Sequence, residues 1–154
     1  MVRFGPSGNS ESFYSQGHKS SVEMPLWLKE MGLSAYEYQC SKGIRISRET
    51  ARLGEEAEKN DIFLSVHAPY YINLANTDEQ KRKGSIDYLL KTMEAAQWMG
   101  AARVVVHTGS CAKTDRKKAL DTAVDAMRET IQKADEMGYS GISICPEVLG
   151  KINQ

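Results

Sequence analysis

His67, His107 and Glu147 each close a short apolar run, and each carries a side chain that can bind a metal ion. The runs read Val66-His67-Ala68-Pro69-Tyr70, Val106-His107-Thr108-Gly109-Ser110 and Cys145-Pro146-Glu147. Two imidazoles and one carboxylate form a His₂Glu set, the kind that holds a catalytic zinc and leaves a coordination position open. A water bound at that position is acidified into a nucleophile near neutral pH. Manganese and iron accept the same donors, so the residues point first to zinc without excluding the other two. Two of the three histidines fall at these equivalent positions. The remaining one, His18, sits in a polar loop and reads as a surface residue without partners.

Other residues near these strand ends could touch a substrate. Tyr70 and Tyr71 follow His67 closely, and an aromatic ring there could stack on a base or a deoxyribose, or pack beneath its own loop. Gly109 and Ser110 offer backbone N–H groups and a hydroxyl suited to a phosphate, although such a pair is also an ordinary turn. Basic residues gather in two loops at the same end: Lys42, Arg45 and Arg48 in one, and Lys113, Arg116, Lys117 and Lys118 in the other. Lys42 is the candidate substrate contact among them; a solvated helix face accounts for most such charges. Cys145 reads as a small buried strand residue. Cys111, four residues past His107, could reach a soft metal but reads as a structural thiol.

An alternation of strands and amphipathic helices must place these groups. Val2–Phe4 is a weak first strand, followed by a Ser/Gly/Asn-rich loop from Gly5 to Ser21. Glu23 to Met31 reads as a helix with Pro25 in its first turn and Gly32 as its stop. Ala35–Gln39 is the next strand. Ser47 then caps a helix reaching about Lys59, with Asn60-Asp61 as the turn. Phe63–Val66 is a strand ending at His67. Thr77-Asp78-Glu79-Gln80 matches a capping box, and the helix it opens buries Ile86, Leu89, Leu90, Met93 and Ala96 before Gly100. Val104–Val106 is continuous and β-branched, as in a strand buried on both faces. A last helix, about Asp115 to Met137, turns Leu120, Ala123, Met127, Ile131 and Ala134 inward. Ile142–Cys145 follows as the fifth strand, with Glu147 just past it.

Repeated β-α units imply a parallel sheet covered by helices, either doubly wound or closed as a (β/α)₈ barrel. No Gly-x-Gly-x-x-Gly or P-loop pattern follows a strand, which weakens the nucleotide-binding open sheet. In a barrel all strands end on one rim, where His67, His107 and Glu147 would meet. With 154 residues and 41% hydrophobic content the chain can bury a core. Lys+Arg and Asp+Glu are both 20, so a nucleic acid would have to be held by a local patch rather than by net charge. Three widely spaced cysteines argue against a disulfide framework. With no membrane-length apolar run and no signal peptide in its opening residues, the chain reads as cytoplasmic.

The segments His67-Ala68-Pro69-Tyr70-Tyr71-Ile72-Asn73-Leu74, Val104-Val105-Val106-His107-Thr108-Gly109-Ser110 and Pro146-Glu147 resemble, in order, motifs of endonuclease IV, an apurinic/apyrimidinic endonuclease. They also resemble its relatives among the xylose-isomerase-like barrels, and the likeness spans essentially the whole chain. It implies a TIM barrel, a cluster of three zinc ions, and His67, His107 and Glu147 as ligands of the first, with Glu147 bridging to the second. It also places Tyr70 near the damaged nucleotide. The sequence differs from that family where Val148-Leu149-Gly150-Lys151 replaces a polar run, and where Gln39-Cys40-Ser41-Lys42-Gly43 carries no aromatic or arginine wedge.

A complete barrel takes about 250 residues. The chain therefore reads as a single incomplete TIM-barrel domain, residues 1–154, holding about the first five β-α units. Such a piece completes at most one metal shell, leaves edges and an apolar interior exposed, and invites self-association. Three functions stay open: incision of abasic DNA by the parent protein with Glu147 as the catalytic metal holder, isomerisation or epimerisation of a sugar or sugar phosphate, and a non-catalytic fragment.

Overall fold

The computed structural model describes residues 2–41 and 43–148. Its elements run α1 (Glu11–Ser15), α2 (Met24–Glu30), β1 (Ala35–Gln39), α3 (Arg48–Lys59), β2 (Phe63–His67), α4 (Glu79–Trp98), β3 (Arg103–His107), α5 (Arg116–Glu136) and β4 (Ser143–Glu147). The four strands form one sheet in the order β1-β2-β3-β4, every neighbouring pair parallel. Parallel neighbours require a crossover, and α3, α4 and α5 supply the three crossovers on one face.

The strands alternate between two environments. Tyr36, Leu64, Val66, Val104 and Val106 lie beneath the helices and are buried. Their odd-numbered neighbours face the concave side of the sheet, where Glu37, Ser65, Arg103, Val105 and Cys145 line a hollow of about 520 Å³. This face is not the apolar interior expected from the sequence. Arg103 lies over the Phe63 ring at 5.1 Å, and Ser65 Oγ donates to Glu37 Oε2 at 3.4 Å. Val105 and Cys145 are only half-buried there, so neither the doubly buried β3 nor the buried Cys145 is found.

The N-terminal segment departs from the expected strand. Its backbone runs along the free edge of β1, with Phe4 O accepting from Ala35 N, Pro6 O from Glu37 N, and Gly8 N donating to Glu37 O. Proline at position 6 has no N–H to return, and only an isolated bridge, Ser7 to Glu37, results. The Gly5–Ser21 stretch is not simple loop either, since it contains α1, capped by Ser10, and leads into a single 3-10 turn at Ser21–Glu23. His18 has partners: its Nδ1 lies 2.9 Å from Glu23 Oε2 and its ring stacks on Phe13 at 4.7 Å. The His18 bond is the largest reason the Glu23 carboxyl falls to about 2.

Helix α4 starts one residue later than the capping-box reading. Asp78 is the N-cap, its Oδ1 accepting from Gln80 N at 2.9 Å and Lys81 N at 3.2 Å. The buried stripe Ile86, Leu89, Leu90, Met93 and Ala96 is as expected, and each large side chain contributes about 1.5–3 kcal/mol by leaving water. Helix α5 turns the expected face inward in part: Ala134 is buried and Ala123 and Met127 pack against the core, but Leu120 and Ile131 do not. Ala119, Ala126, Thr130 and Ala134 are buried, whereas Leu120, Val124 and Ile131 are exposed. Small residues let α5 approach closely, and the larger stripe is left on the outside.

Two helical glycines separate backbone approach from empty space. A Cβ on Gly54 would lie 2.5 Å from Met99 O, whereas one on Gly84 would meet nothing within 4 Å. Alanine normally favours a helix interior over glycine by about 1 kcal/mol. Gly84→Ala is therefore expected to stabilise by about that amount. Gly54→Ala is expected to destabilise by about 1–3 kcal/mol through overpacking. Urea denaturation midpoints check the pair, and equal gains at both positions would contradict this packing.

Candidate metal centre

His67, His107 and Glu147 are the last residues of β2, β3 and β4, and all three have concave-face parity. Glu147 therefore belongs to its strand rather than lying past it. His107 pairs with Glu147 across β3 and β4. Between β2 and β3 the register is staggered, His67 opposing Val105, so His107 stands two residues beyond His67. The stagger is the shear that parallel strands adopt in a barrel wall.

The side chains converge accordingly. Glu147 Oε2 lies 3.0 Å from His67 Nε2 and 2.9 Å from His107 Nε2, and the rings meet edge-to-face at 4.9 Å. The three candidate ligand atoms fall within 4.8 Å of one another, the one such group among the described residues. His67 is buried, while the Glu147 side chain is half exposed, so the group is closed on one side and open to solvent on the other.

Proton placement decides what this arrangement can hold. His67 Nδ1 lies 2.7 Å from the Ala68 carbonyl. A carbonyl only accepts, so Nδ1 carries a proton and Nε2 of the neutral ring presents a lone pair to the carboxylate. Two lone-pair atoms 3.0 Å apart need a positive charge between them. A metal ion would provide it, with the Ala68 carbonyl fixing the tautomer. Tetrahedral zinc at its usual bond lengths separates its ligands by about 3.3 Å, so each nitrogen would part from the Glu147 oxygen by a few tenths of an ångström.

The other sequence-predicted residues are distributed less simply. Tyr70 is 70% exposed on the loop after β2, its ring edge-on to Tyr71, which in turn meets Tyr88. Lys42 lies outside the described residues. Ser110 N donates to Asn73 Oδ1 at 3.3 Å, so this amide is already engaged by the protein. Alongside Glu147 a groove of about 320 Å³ is lined by Thr108, Ser110, Arg116, Leu120 and Pro146. Cys111 is not part of the His/Glu group. Sequence reasoning missed Asn73, whose signal was an amide residue in the loop directly after the first histidine motif. No disulfide forms among the cysteines, and no described helix is long and apolar enough to cross a membrane.

The sequence profile described as xylose isomerase-like TIM barrel matches residues 25–154. An uncharacterised protein of Methanocaldococcus jannaschii is 28% identical over 154 residues, covering 100% of this chain and 54% of that protein. The probable endonuclease 4 of Mycoplasmoides gallisepticum is 36% identical over 88 residues, covering 52% of this chain and 29% of its own length. Among solved structures, D-psicose 3-epimerase from Clostridium cellulolyticum with D-tagatose superposes with a TM-score of 0.73 and 18% identity, over 96% of this chain and 50% of that one. Endonuclease IV from Thermus thermophilus superposes with a TM-score of 0.58 and 20% identity, over 84% and 47%. The chain thus spans about half the length, or less, of the proteins it matches.

The bond from His67, followed by that from His107, holds the Glu147 carboxyl below its ordinary value of 4.5. A carboxyl depressed in the folded state stabilises the fold above its unfolded pKa, and this contribution disappears as pH falls through the folded value. In the metal-free protein His67→Ala is expected to move the Glu147 carboxyl upward, toward 4.5, in a carbon-detected NMR titration. An unchanged titration would show that the imidazole does not govern this carboxylate.

Proposed function

Because this chain belongs to the xylose isomerase-like TIM-barrel family, we propose that it is the metal-holding part of a hydrolase that cleaves DNA at abasic sites. The convergence of His67 Nε2, His107 Nε2 and Glu147 Oε2 on one point of the strand rim carries this reading. The choice of DNA is supported by sequence likeness to the mycoplasmal probable endonuclease 4 proteins; the likeness to sugar epimerases is one of fold. When bound, zinc would polarise a phosphoryl oxygen and lower the pKa of a water molecule.

The protein's own groups divide the remaining work. His67 and His107 supply neutral nitrogen donors, and Glu147 supplies the negative charge that makes the site selective for a cation. Tyr70, exposed on the rim, offers a ring to a nucleotide turned out of the duplex. The Ser110 hydroxyl and Lys42 would contact phosphates, with Gly109 keeping the loop backbone low. Incision is expected only when the rest of a barrel is present, because one three-residue shell cannot clamp both the attacking and the leaving oxygen.

A second reading, isomerisation or epimerisation of a sugar or sugar phosphate, is favoured by the superposition of D-psicose 3-epimerase on more of the chain than endonuclease IV covers. There the ion would polarise a carbonyl instead of a phosphate.

Elemental analysis of the purified chain is expected to find about one zinc per chain, the capacity of a single His₂Glu shell. His107→Ala and Glu147→Gln are expected to lose it. Wild-type protein free of zinc after loading would overturn the metal reading. Within a complete barrel, nicking of an abasic duplex that Glu147→Gln abolishes supports the DNA reading. Ketose epimerisation without nicking would replace it.

A further inference from the structure

The loops that follow His67 and His107 are joined by one side chain. Asn73 Oδ1 accepts from Ser110 N at 3.3 Å and from Ala75 N at 3.0 Å, while Asn73 Nδ2 reaches Ser110 O at 3.5 Å. The carboxamide therefore pairs with both backbone groups of Ser110, as a neighbouring peptide would. One residue further along, Leu74 N donates to Thr108 O at 2.9 Å. Asn73 is itself anchored from below, its N–H donating to Ser85 Oγ on α4 at 3.1 Å. The segment after His107 is thus tied at Thr108 and at Ser110 to the segment after His67.

Gly109 makes this approach possible. Its φ is +137°, and a Cβ there would lie 2.3 Å from Asn73 Oδ1 and 3.2 Å from Ala75 N. The Gly109-Ser110 pair, read from sequence as a phosphate loop, is in the structure the seat of the asparagine. Three polar contacts and an enforced absence of side chain meet at one point, only two residues beyond His107.

We infer that Asn73 is a positioning residue for the metal centre, latching the His67 loop to the His107 loop so that both Nε2 atoms face Glu147. The inference rests on the metal reading of His67, His107 and Glu147. Groups that orient metal ligands without touching the metal cost about 10–100-fold in affinity when removed. Asn73→Ala removes all three bonds. Asn73→Asp keeps the acceptor for the Ser110 and Ala75 amides and replaces only the longest contact, the donor to Ser110 O, by an oxygen facing an oxygen.

The test is zinc affinity of the chain by competition with a chromogenic chelator, alongside hydrogen exchange of the Ser110 amide and metal-free melting temperature. Asn73→Ala is expected to weaken zinc about tenfold or more and to deprotect the Ser110 amide, with Asn73→Asp restoring affinity to within about threefold of wild type. Gly109→Ala is expected to weaken zinc alone but to add less in the Asn73→Ala background, because the two changes break one contact. Zinc affinity unchanged by Asn73→Ala, additive effects, or a lowered melting temperature with intact affinity would overturn the latch. A wild-type chain that binds no zinc would instead bring down the metal reading, while exchange at Ser110 still reports whether Asn73 joins the loops.

Discussion

A carboxylate oxygen at hydrogen-bond length from two imidazole nitrogens favours a shared cation, whether a proton or a metal ion. Glu147 Oε2 and the Nε2 atoms of His67 and His107 form such a group, and the rest of the architecture serves to bring it about. Parallel pairing delivers three strand ends to one rim. The two-residue alternation of a strand turns every second side chain to the concave side, so a single-residue slip in any strand would send its ligand under the helices. The β2–β3 stagger sets the two imidazoles at different heights, which is why one carboxylate oxygen can serve both. The Ala68 carbonyl chooses the tautomer. The site is therefore a property of register before it is a property of any one residue.

Much of this could be read from the residues. The runs ending in His67 and His107 are short and bounded by turn residues, the second of them β-branched throughout Val104–Val106, and such segments are easily located; β1 and α3 also fall at their expected limits. Helix α5 was less legible, because two apolar stripes overlap in its sequence. Hydrophobicity favours the stripe with Leu120 and Ile131, whereas packing selects the alanines, whose small size permits close contact. At the start of α4, Thr77 and Asp78 are both good caps, and the choice went to the carboxylate that accepts two amides. At Gly109 spacing reveals a loop glycine but not that Asn73 Oδ1 is the atom that approaches it. Asn73 was illegible for the same reason, as its partner lies 37 residues away in sequence.

The concave face changes what an unclosed sheet means for this chain. Glu37, Ser65 and Arg103 occupy positions where an apolar barrel lining had been expected, with Ser65 Oγ donating to Glu37 Oε2 and Arg103 lying over the Phe63 ring. The exposed apolar surface that could draw in another chain lies instead along α5, at Leu120, Val124 and Ile131. Association through that stripe would reach the groove beside Glu147 at its Leu120 end, because Leu120 lines that groove.

The order of strands in the sheet is also their order in the chain. Each strand pairs with the one synthesised just before it, across a single helical crossover, so no strand must wait for a distant segment to complete its place. A nascent chain leaving the ribosome can add one β-α layer at a time to an already formed edge. Of the three candidate ligands, Glu147, on the fourth of these strands, would arrive after the two imidazoles, which would meet the carboxylate only once β2 and β3 had been laid down.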